Sequence, residues 1–389
     1  MKRSTDRILT THTGSLHRPR DLETLMARAF VHGDELAEAA VYERYPSAVR
    51  EIVRNQQAAG TDIVSDGECS KSSWATYVQE RMEGLTPGQP PAIFAGKDRD
   101  QFATFYGDAE QRGLLFYTEE TGLMGTKPVF RECTGPLRYK GYDAIQRDIR
   151  NFKAALEDAT YEEAFMPVVA PGSIQPLMVN RYYKTDDEYW EAIARTMREE
   201  YQAIVDAGFI LQLDDAFMPY LYDMVGPLTK ADFLVWAGKA IDALNLALEG
   251  IPEDRVRYHI CWGSWNGPHA NDLPLKDIIH LVLRVRAQTY AIEAGNPRHE
   301  HEWVLFRDVK LPDGKILAPG VVQHCTNVVE HPEAVAQRLL RFASVVGREN
   351  VIASTDCGLR LRIHPQLAWA KLKAMKEGAD LATKELWTR

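Results

Sequence analysis

The sequence predicts an α/β protein of the (β/α)8, or TIM, barrel class, built as a single domain over residues 1–389 with a long insertion after the second strand. Three observations predict it. Short apolar runs that read as strands alternate eight times with segments of helical periodicity. Glycines close several helical segments just before the next strand. Small or reactive polar residues stand at the end of each of the eight runs, where a barrel carries its chemistry.

The strand-like runs cover residues 8–13, 62–65, 167–170, 209–213, 257–261, 290–292, 316–322 and 351–354. Between them lie amphipathic segments such as 188–208, where Trp190, Ile193, Met197 and Tyr201 recur at helical spacing. Segments 231–250, 331–347 and 364–382 behave alike, and Gly60, Gly208, Gly250 and Gly347 stand where helix C-caps belong. The sixth helix is poorly marked, because EHEWVLFRDVKLPDG is short and its period is weak. The insertion, residues 84–141, is rich in proline, glycine and short β-branched runs, including LTPGQPPAIFAG and GLMGTKPVFRECTGPLRYKG. Such a composition predicts an excursion that carries a hairpin.

Composition narrows the function. With 45% hydrophobic and 26% charged residues, the chain has the make-up of a soluble globular protein. Its net charge of −9, with no basic block, argues against nucleic acid or an anionic membrane as partner. No run approaches the ~20 apolar residues of a membrane span, and the N-terminus lacks the apolar core of a signal peptide. The five cysteines are odd in number and scattered, which suits reduced thiols in a cytoplasmic protein.

The strand ends deliver Thr13-Gly14-Ser15, Asp66-Gly67-Glu68, Gly172-Ser173, Asp214-Asp215, His259 with Cys261, Glu293, His324 and Asp356-Cys357. His259 and Cys261 are two apart, so on a strand both point to one face. With Glu293 and Cys357 they can complete a tetrahedral zinc site. Two thiolates and a carboxylate around Zn2+ leave a formal charge of about −1, a poor Lewis acid for water but a good activator of a bound thiol. The pattern therefore points to a zinc enzyme that alkylates or de-alkylates sulfur. Taken singly, each residue has a plainer reading. His259 could be a satisfied core histidine, Cys261 or Cys357 a small buried hydrophobe, Asp214-Asp215 a helix cap, Glu68 a loop carboxylate and Gly14-Ser15 a turn. His299 and His301 have the spacing of a second metal pair but lie in a loop-like stretch, and Cys69, Cys133 and Cys325 read as structural.

At these residues the chain resembles the catalytic C-terminal barrel of cobalamin-independent methionine synthase and its single-barrel relatives, which include the epoxyalkane:coenzyme M transferases, or 2-hydroxyalkyl-coenzyme M lyases. The resemblance runs from Thr10 in TTHTGS to Trp387. Its most specific pieces are HIC at 259–261, Glu293 in IEAGNPRHEHEW, and STDCG at 354–358. It implies zinc on His259, Cys261, Glu293 and Cys357. It also implies thiol-substrate contacts from Thr13, Gly14 and Ser15, ammonium-binding carboxylates at Glu68 and Asp214, and a proton donor or relay at His324. The N-terminal half that helps hold polyglutamyl folate in the larger synthases has no counterpart here, and the Gly-Asn-Pro-Arg-His that follows Glu293 looks more like the single-barrel relatives.

The expected activity is zinc-dependent alkyl, in particular methyl, transfer to a small-molecule thiol. The alternatives are a 2-hydroxyalkyl thioether lyase and, further off, a zinc hydrolase or a non-catalytic thiol sensor. Partners would be a thiol and an alkyl donor. An amino-acid thiol calls for Glu68 and Asp214; a sulfonate thiol calls for cations such as Arg18, Arg298, Arg360 or Arg362.

Overall fold

The computed structural model describes residues 1–89, 96–114, 130–225 and 228–388. Eight parallel strands form the barrel: β1 (Leu9–Thr10), β2 (Ile63–Ser65), β3 (Glu163–Val169), β4 (Ile210–Asp214), β5 (Val256–Ile260), β6 (Thr289–Ile292), β7 (Ile316–Val322) and β8 (Ile352–Thr355). Each pairs with its sequence neighbour from β2 to β8, and β8 returns to pair with β1. The seam between β1 and β2 is stitched by shorter contacts. Asp62 N donates to Thr10 O at 3.1 Å, and Thr11 Oγ1 donates to Ile63 O at 3.1 Å. The barrel is thus nearly closed.

Strand alternation sorts the core into two parts. Leu9, Ile63, Phe165, Ile210, Ala291, Ile316, Ala318 and Ile352 pack into a cluster drawn almost wholly from strands, the filling of the barrel. Only β5 contributes none of them. Its inward position is Arg257, whose guanidinium lies 4.1 Å from the Phe165 ring and donates to Thr11 Oγ1 and His12 O. His259 follows two residues later on the same face, nearer the C-terminal mouth. The other face of each strand packs on the outer helices in one large cluster.

Helices Glu35–Ala58, Tyr142–Leu156, Asp186–Asp206, Lys230–Ala247, Leu275–Val282, Pro332–Val346 and Pro365–Trp387 wrap the barrel. Several start where side chains satisfy the free N–H groups. Asp34 accepts from Leu36 N and Ala37 N, Thr185 from Glu188 N, and Thr229 from Asp232 N. The sixth connection holds only the 3-10 turn Glu302–Arg307, in keeping with its poor period. Two strand limits differ from the sequence reading. The first run, 8–13, pairs as a strand only at Leu9–Thr10; Thr11 N still reaches Ala353 O, but Thr13 N then meets the Thr355 hydroxyl in place of a backbone carbonyl. The third begins at Glu163, since Pro167 interrupts the sequence pattern yet sits within the paired strand.

The insertion opens with strand Met82–Pro87, antiparallel to Arg131–Tyr139, with helices Lys97–Gln101 and Ala103–Gln111 between them. Parts of the two proline- and glycine-rich motifs, residues 90–95 and 115–129, lie outside the described residues. A third strand, Met178–Asn180 from the loop after β3, adds parallel to Arg131–Tyr139, a pairing that no local pattern announces. A buried polar knot ties this small sheet to the barrel. Arg81 bridges Asp148 (2.6 Å) and Glu200 (2.8 Å), and Tyr77 and Tyr139 donate to Glu200 at 3.0 and 2.7 Å. Among the described residues, no helix is long and apolar enough to cross a membrane.

Candidate metal centre and substrate cleft

The end of β5 and the loop after β8 bring two thiols together, with Cys261 Sγ donating to Cys357 Sγ at 3.3 Å. A ligand atom of His259 completes the group, all three lying within 4.8 Å of one another. His259 Nδ1 is 2.9 Å from Asp214 Oδ1, and Nε2 is 3.1 Å from the Asp356 carbonyl. Burial alone would push this imidazole down, but the Asp214 hydrogen bond and the negative charge of Cys357 outweigh it and raise it to about 9. The hydrogen bond from Cys261 holds Cys357 down at about 6 against burial, with His259 assisting, while Cys261 is pushed up. The metal-free trio is thus an imidazolium beside a thiolate that shares a second thiol. A cation that replaces those protons finds two sulfurs and one nitrogen, a donor set that fits zinc.

Glu293, the fourth expected ligand, stands one step away. Its Oε2 accepts from Trp262 N at 2.8 Å and its Oε1 from Asn296 Nδ2. It groups with His324 and Asp356, again within 4.8 Å, and His324 Nδ1 lies 3.8 Å from its Oε1. Burial first, and then Asp356, push Glu293 up to about 8. Burial and the nearby Arg362 push His324 well down, so its ring is neutral. His324 Nε2 faces Gly263 O at 3.2 Å, whereas Nδ1 is buried without a partner, as is Asp356 Oδ2. Asp356 Oδ1 accepts from Ala294 N (2.8 Å) and Gly295 N (2.7 Å), so it fixes the turn that carries Glu293. Gly320 on β7 lies against this carboxylate so closely that a Cβ would overlap it.

The expected substrate-side residues meet across the β1–β8 seam. Thr13 N donates to Thr355 Oγ1 at 3.0 Å, and Leu359 N donates to Ser15 O at 3.0 Å. Gly14 takes φ +66° beside Gly358, where a Cβ would crowd Ser15. A small cleft here is lined by Ser15, Glu68, Lys71, Ser73, Trp74 and Arg360, with Leu361 at its edge. Glu68 adopts a left-handed φ of +57°, directly after Gly67, and it lines this cleft. Lys71 Nζ approaches Glu68 Oε1 at 3.4 Å, and Arg360 Nε approaches Glu23 at 3.5 Å. Burial, partly offset by Lys71, raises Glu68 to about 7.

Asp214 stands elsewhere than beside Glu68 alone. Its Oδ1 is taken by His259 and by Gln212 Nε2 (2.7 Å), so it backs the imidazole. Asp215 is an anchor. It accepts from Ser173 Oγ (2.8 Å) and Tyr258 OH (2.9 Å) and caps no helix. His299 is buried between Asp272 and Glu302 while His301 is exposed, and the pair joins no potential metal group among the described residues. Arg362 lies against His324 (3.4 Å) and Asn266 (3.1 Å), whereas Arg298 reaches Ala270 O (3.0 Å).

Sequence reasoning missed several residues. Asp356 was visible beside Cys357 without a role. Lys71 had no motif. The aromatic wall at the mouth had no linear signature. In it Trp74 meets Phe217 (5.7 Å), Phe217 meets Tyr220 (6.2 Å), and Tyr220 meets Trp265 (4.2 Å). Trp265 Nε1 then donates to Tyr106 OH of the insertion at 3.0 Å.

Barrel, cysteine pair and histidine together define a class. Residues 177–381, just over half of the chain, match the profile of the cobalamin-independent synthase catalytic domain, and the chain belongs to that family. It is 24% identical over 408 residues to the 2-hydroxypropyl-CoM lyase of Xanthobacter autotrophicus, with 97% of this chain and 96% of the relative covered. It is also 24% identical over 383 residues to the methionine synthase of Sulfolobus acidocaldarius, with 97% and 93% covered. Among solved structures it resembles the B12-independent methionine synthase of Shewanella sp. W3-18-1 in complex with selenomethionine. The TM-score is 0.73 at 18% identity, covering 98% of this chain and all of the other, which shows a shared fold.

Proposed function

We propose that the chain acts as one barrel domain that binds zinc and transfers an alkyl group, in particular a methyl group, to the sulfur of a small-molecule thiol. The observation that carries this reading is the Cys261–Cys357 contact of 3.3 Å beside a histidine braced by Asp214. Zinc bound to His259, Cys261 and Cys357, with Glu293 as an adjacent and more weakly held donor, would keep a substrate thiol deprotonated and nucleophilic at neutral pH.

The protein's own groups supply the rest. Ser15, with the turn at Thr13 and Gly14, and the cleft beside it hold the body of the thiol over the mouth, so positioning accounts for much of the acceleration. His324 Nδ1, buried and without a hydrogen-bond partner, is the atom placed to relay a proton to the leaving group of the alkyl donor, since burial and Arg362 make its imidazolium a ready donor. The aromatic rings that run from Trp74, which lines the cleft, to Trp265 would help to keep water from it.

The cleft offers a carboxylate, Glu68, next to two cations, Lys71 and Arg360. Both signs within one small space suit a zwitterionic amino-acid thiol such as homocysteine. A second reading rests on the same cations: they would hold a sulfonate thiol, and the site would then form or cleave a hydroxyalkyl thioether, the chemistry named for the Xanthobacter relative. Zinc-loaded protein incubated with homocysteine or 2-mercaptoethanesulfonate and a panel of methyl donors and epoxides, followed by mass spectrometry, separates the two. S-methylation of homocysteine supports the first reading. A hydroxyalkyl thioether of the sulfonate thiol would replace it with the second, and no thiol product with any donor would reject both.

A further inference from the structure

We propose that His299 is a positioning residue for Glu293, acting through Trp262, and that it sets how readily Glu293 yields its place to a substrate thiol. The proposal rests on the zinc reading above but concerns residues that this reading leaves without a task.

His299 is 3% exposed, and both ring nitrogens meet carboxylates: Nδ1 lies 2.8 Å from Glu302 and Nε2 lies 3.1 Å from Asp272. With a carboxylate on each nitrogen, the ring is held in one orientation. In that orientation it stacks on the Trp262 indole, with centroids 3.7 Å apart and planes at 20°. The indole is pinned at its other end, where Nε1 donates to Leu273 O at 2.8 Å. Trp262 N is the group that donates to Glu293 Oε2. The second oxygen of Glu293 is held separately, by Asn296, through backbone N–H groups that do not depend on the His299 ring. Asn296 Oδ1 accepts from Arg298 N (2.8 Å) and His299 N (3.2 Å), which turns its Nδ2 toward Glu293 Oε1.

The far side of this arrangement is secured by the insertion. Asp98, 1% exposed, accepts from Ala270 N (3.1 Å), Asn271 N (3.0 Å) and Asn271 Nδ2 (2.7 Å), immediately before Asp272. His269 also holds Asp272, at 3.1 Å. The loops that carry Trp262 and Glu293 are therefore cross-braced at His299. Both Glu293 oxygens accept hydrogen bonds beside the sulfur pair, so a thiol that displaces this carboxylate leaves it with partners already in place.

A cobalt-substituted protein reads this directly, because the visible ligand-field bands of Co2+ report its donor atoms. In His299→Ala the spectrum of the thiol-free protein shifts, whereas the spectra with homocysteine or 2-mercaptoethanesulfonate bound match the wild type, since Glu293 no longer contributes there. The dissociation constant of the bound thiol changes about tenfold, the scale of outer-shell effects at metal sites. Where His299→Ala does not fold, Glu302→Gln keeps a hydrogen-bond acceptor at Nδ1 but removes one charge, and its thiol-free spectrum shifts in the same sense. Spectra that superimpose on wild type in both states, or that change equally with and without thiol, would overturn the positioning role and leave His299 a structural bridge. Wild-type protein that takes up no cobalt would instead overturn the metal reading itself.

Discussion

Asp214 and His259 are register partners on adjacent strands β4 and β5, and their side chains meet at 2.9 Å between Oδ1 and Nδ1. The bond commits Nδ1–H to the carboxylate, so a metal would take Nε2, which meets the Asp356 carbonyl at 3.1 Å when no metal is bound. Asp214→Asn is therefore expected to weaken zinc roughly 10- to 100-fold while the fold survives, measured by competition with a chelator. The sequence reading, which places Asp214 at a substrate ammonium and not behind the metal, would leave metal affinity untouched. Unchanged affinity in Asp214→Asn restores that role.

The sulfur pair makes a sharper demand. Cys261→Ser and Cys357→Ser should each lose most of about one zinc per chain, because a hydroxyl does not replace a thiolate. Cys69 and Cys133, both buried away from the trio, should keep full metal content when changed to serine. Elemental analysis of the four variants decides it, and full occupancy in either of the first two would reject the ligand assignment.

The pairing of Cys261 with Cys357 gives the metal-free protein a pH signature. Cys357 is held down at about 6 by its hydrogen bond from Cys261, with His259 assisting, while an ordinary thiol titrates near ~8.5. Its thiolate is then lost as pH falls through about 6 and present above it. The rate of alkylation of metal-stripped protein by iodoacetamide, mapped to Cys357 by peptide mass spectrometry, should rise through that point and level off by neutral pH. A midpoint near the ordinary thiol value would mean that the two sulfurs do not share a proton. Zinc should suppress the reaction.

How much of this the sequence carries depends on the range of each interaction. His259 and Cys261 share one face because strand geometry is local, and the polar strand ends follow from the barrel itself. Asp214 beside His259 needs the register of two strands, which no single run encodes. The stack of Trp262 on His299 needs two loops and a brace from residues near 98, so the HEH spacing suggests a metal pair where the fold makes an ion bridge. The third strand of the small sheet is equally silent, because its partner lies far along the chain.

The last prediction concerns the acceptor. Glu68 faces Lys71 at 3.4 Å in the cleft beside Ser15, with a left-handed backbone that commits its carboxylate to this place. A substrate ammonium would enter between that carboxylate and the mouth. Glu68→Gln removes the charge and keeps the shape, so zinc should remain while homocysteine binds more weakly. The loss of one charged hydrogen bond is worth ~1.5–3 kcal/mol, or roughly ten- to a hundredfold in affinity. The same variant leaves Lys71 without its carboxylate, so a thiol that carries a sulfonate and no amine should bind it as well as wild type or better. Titration calorimetry with the two thiols on zinc-loaded wild type and Glu68→Gln makes the comparison. Wild-type preference for the sulfonate thiol, abolished by Arg360→Gln, would place the lyase reading ahead of methyl transfer to an amino-acid thiol.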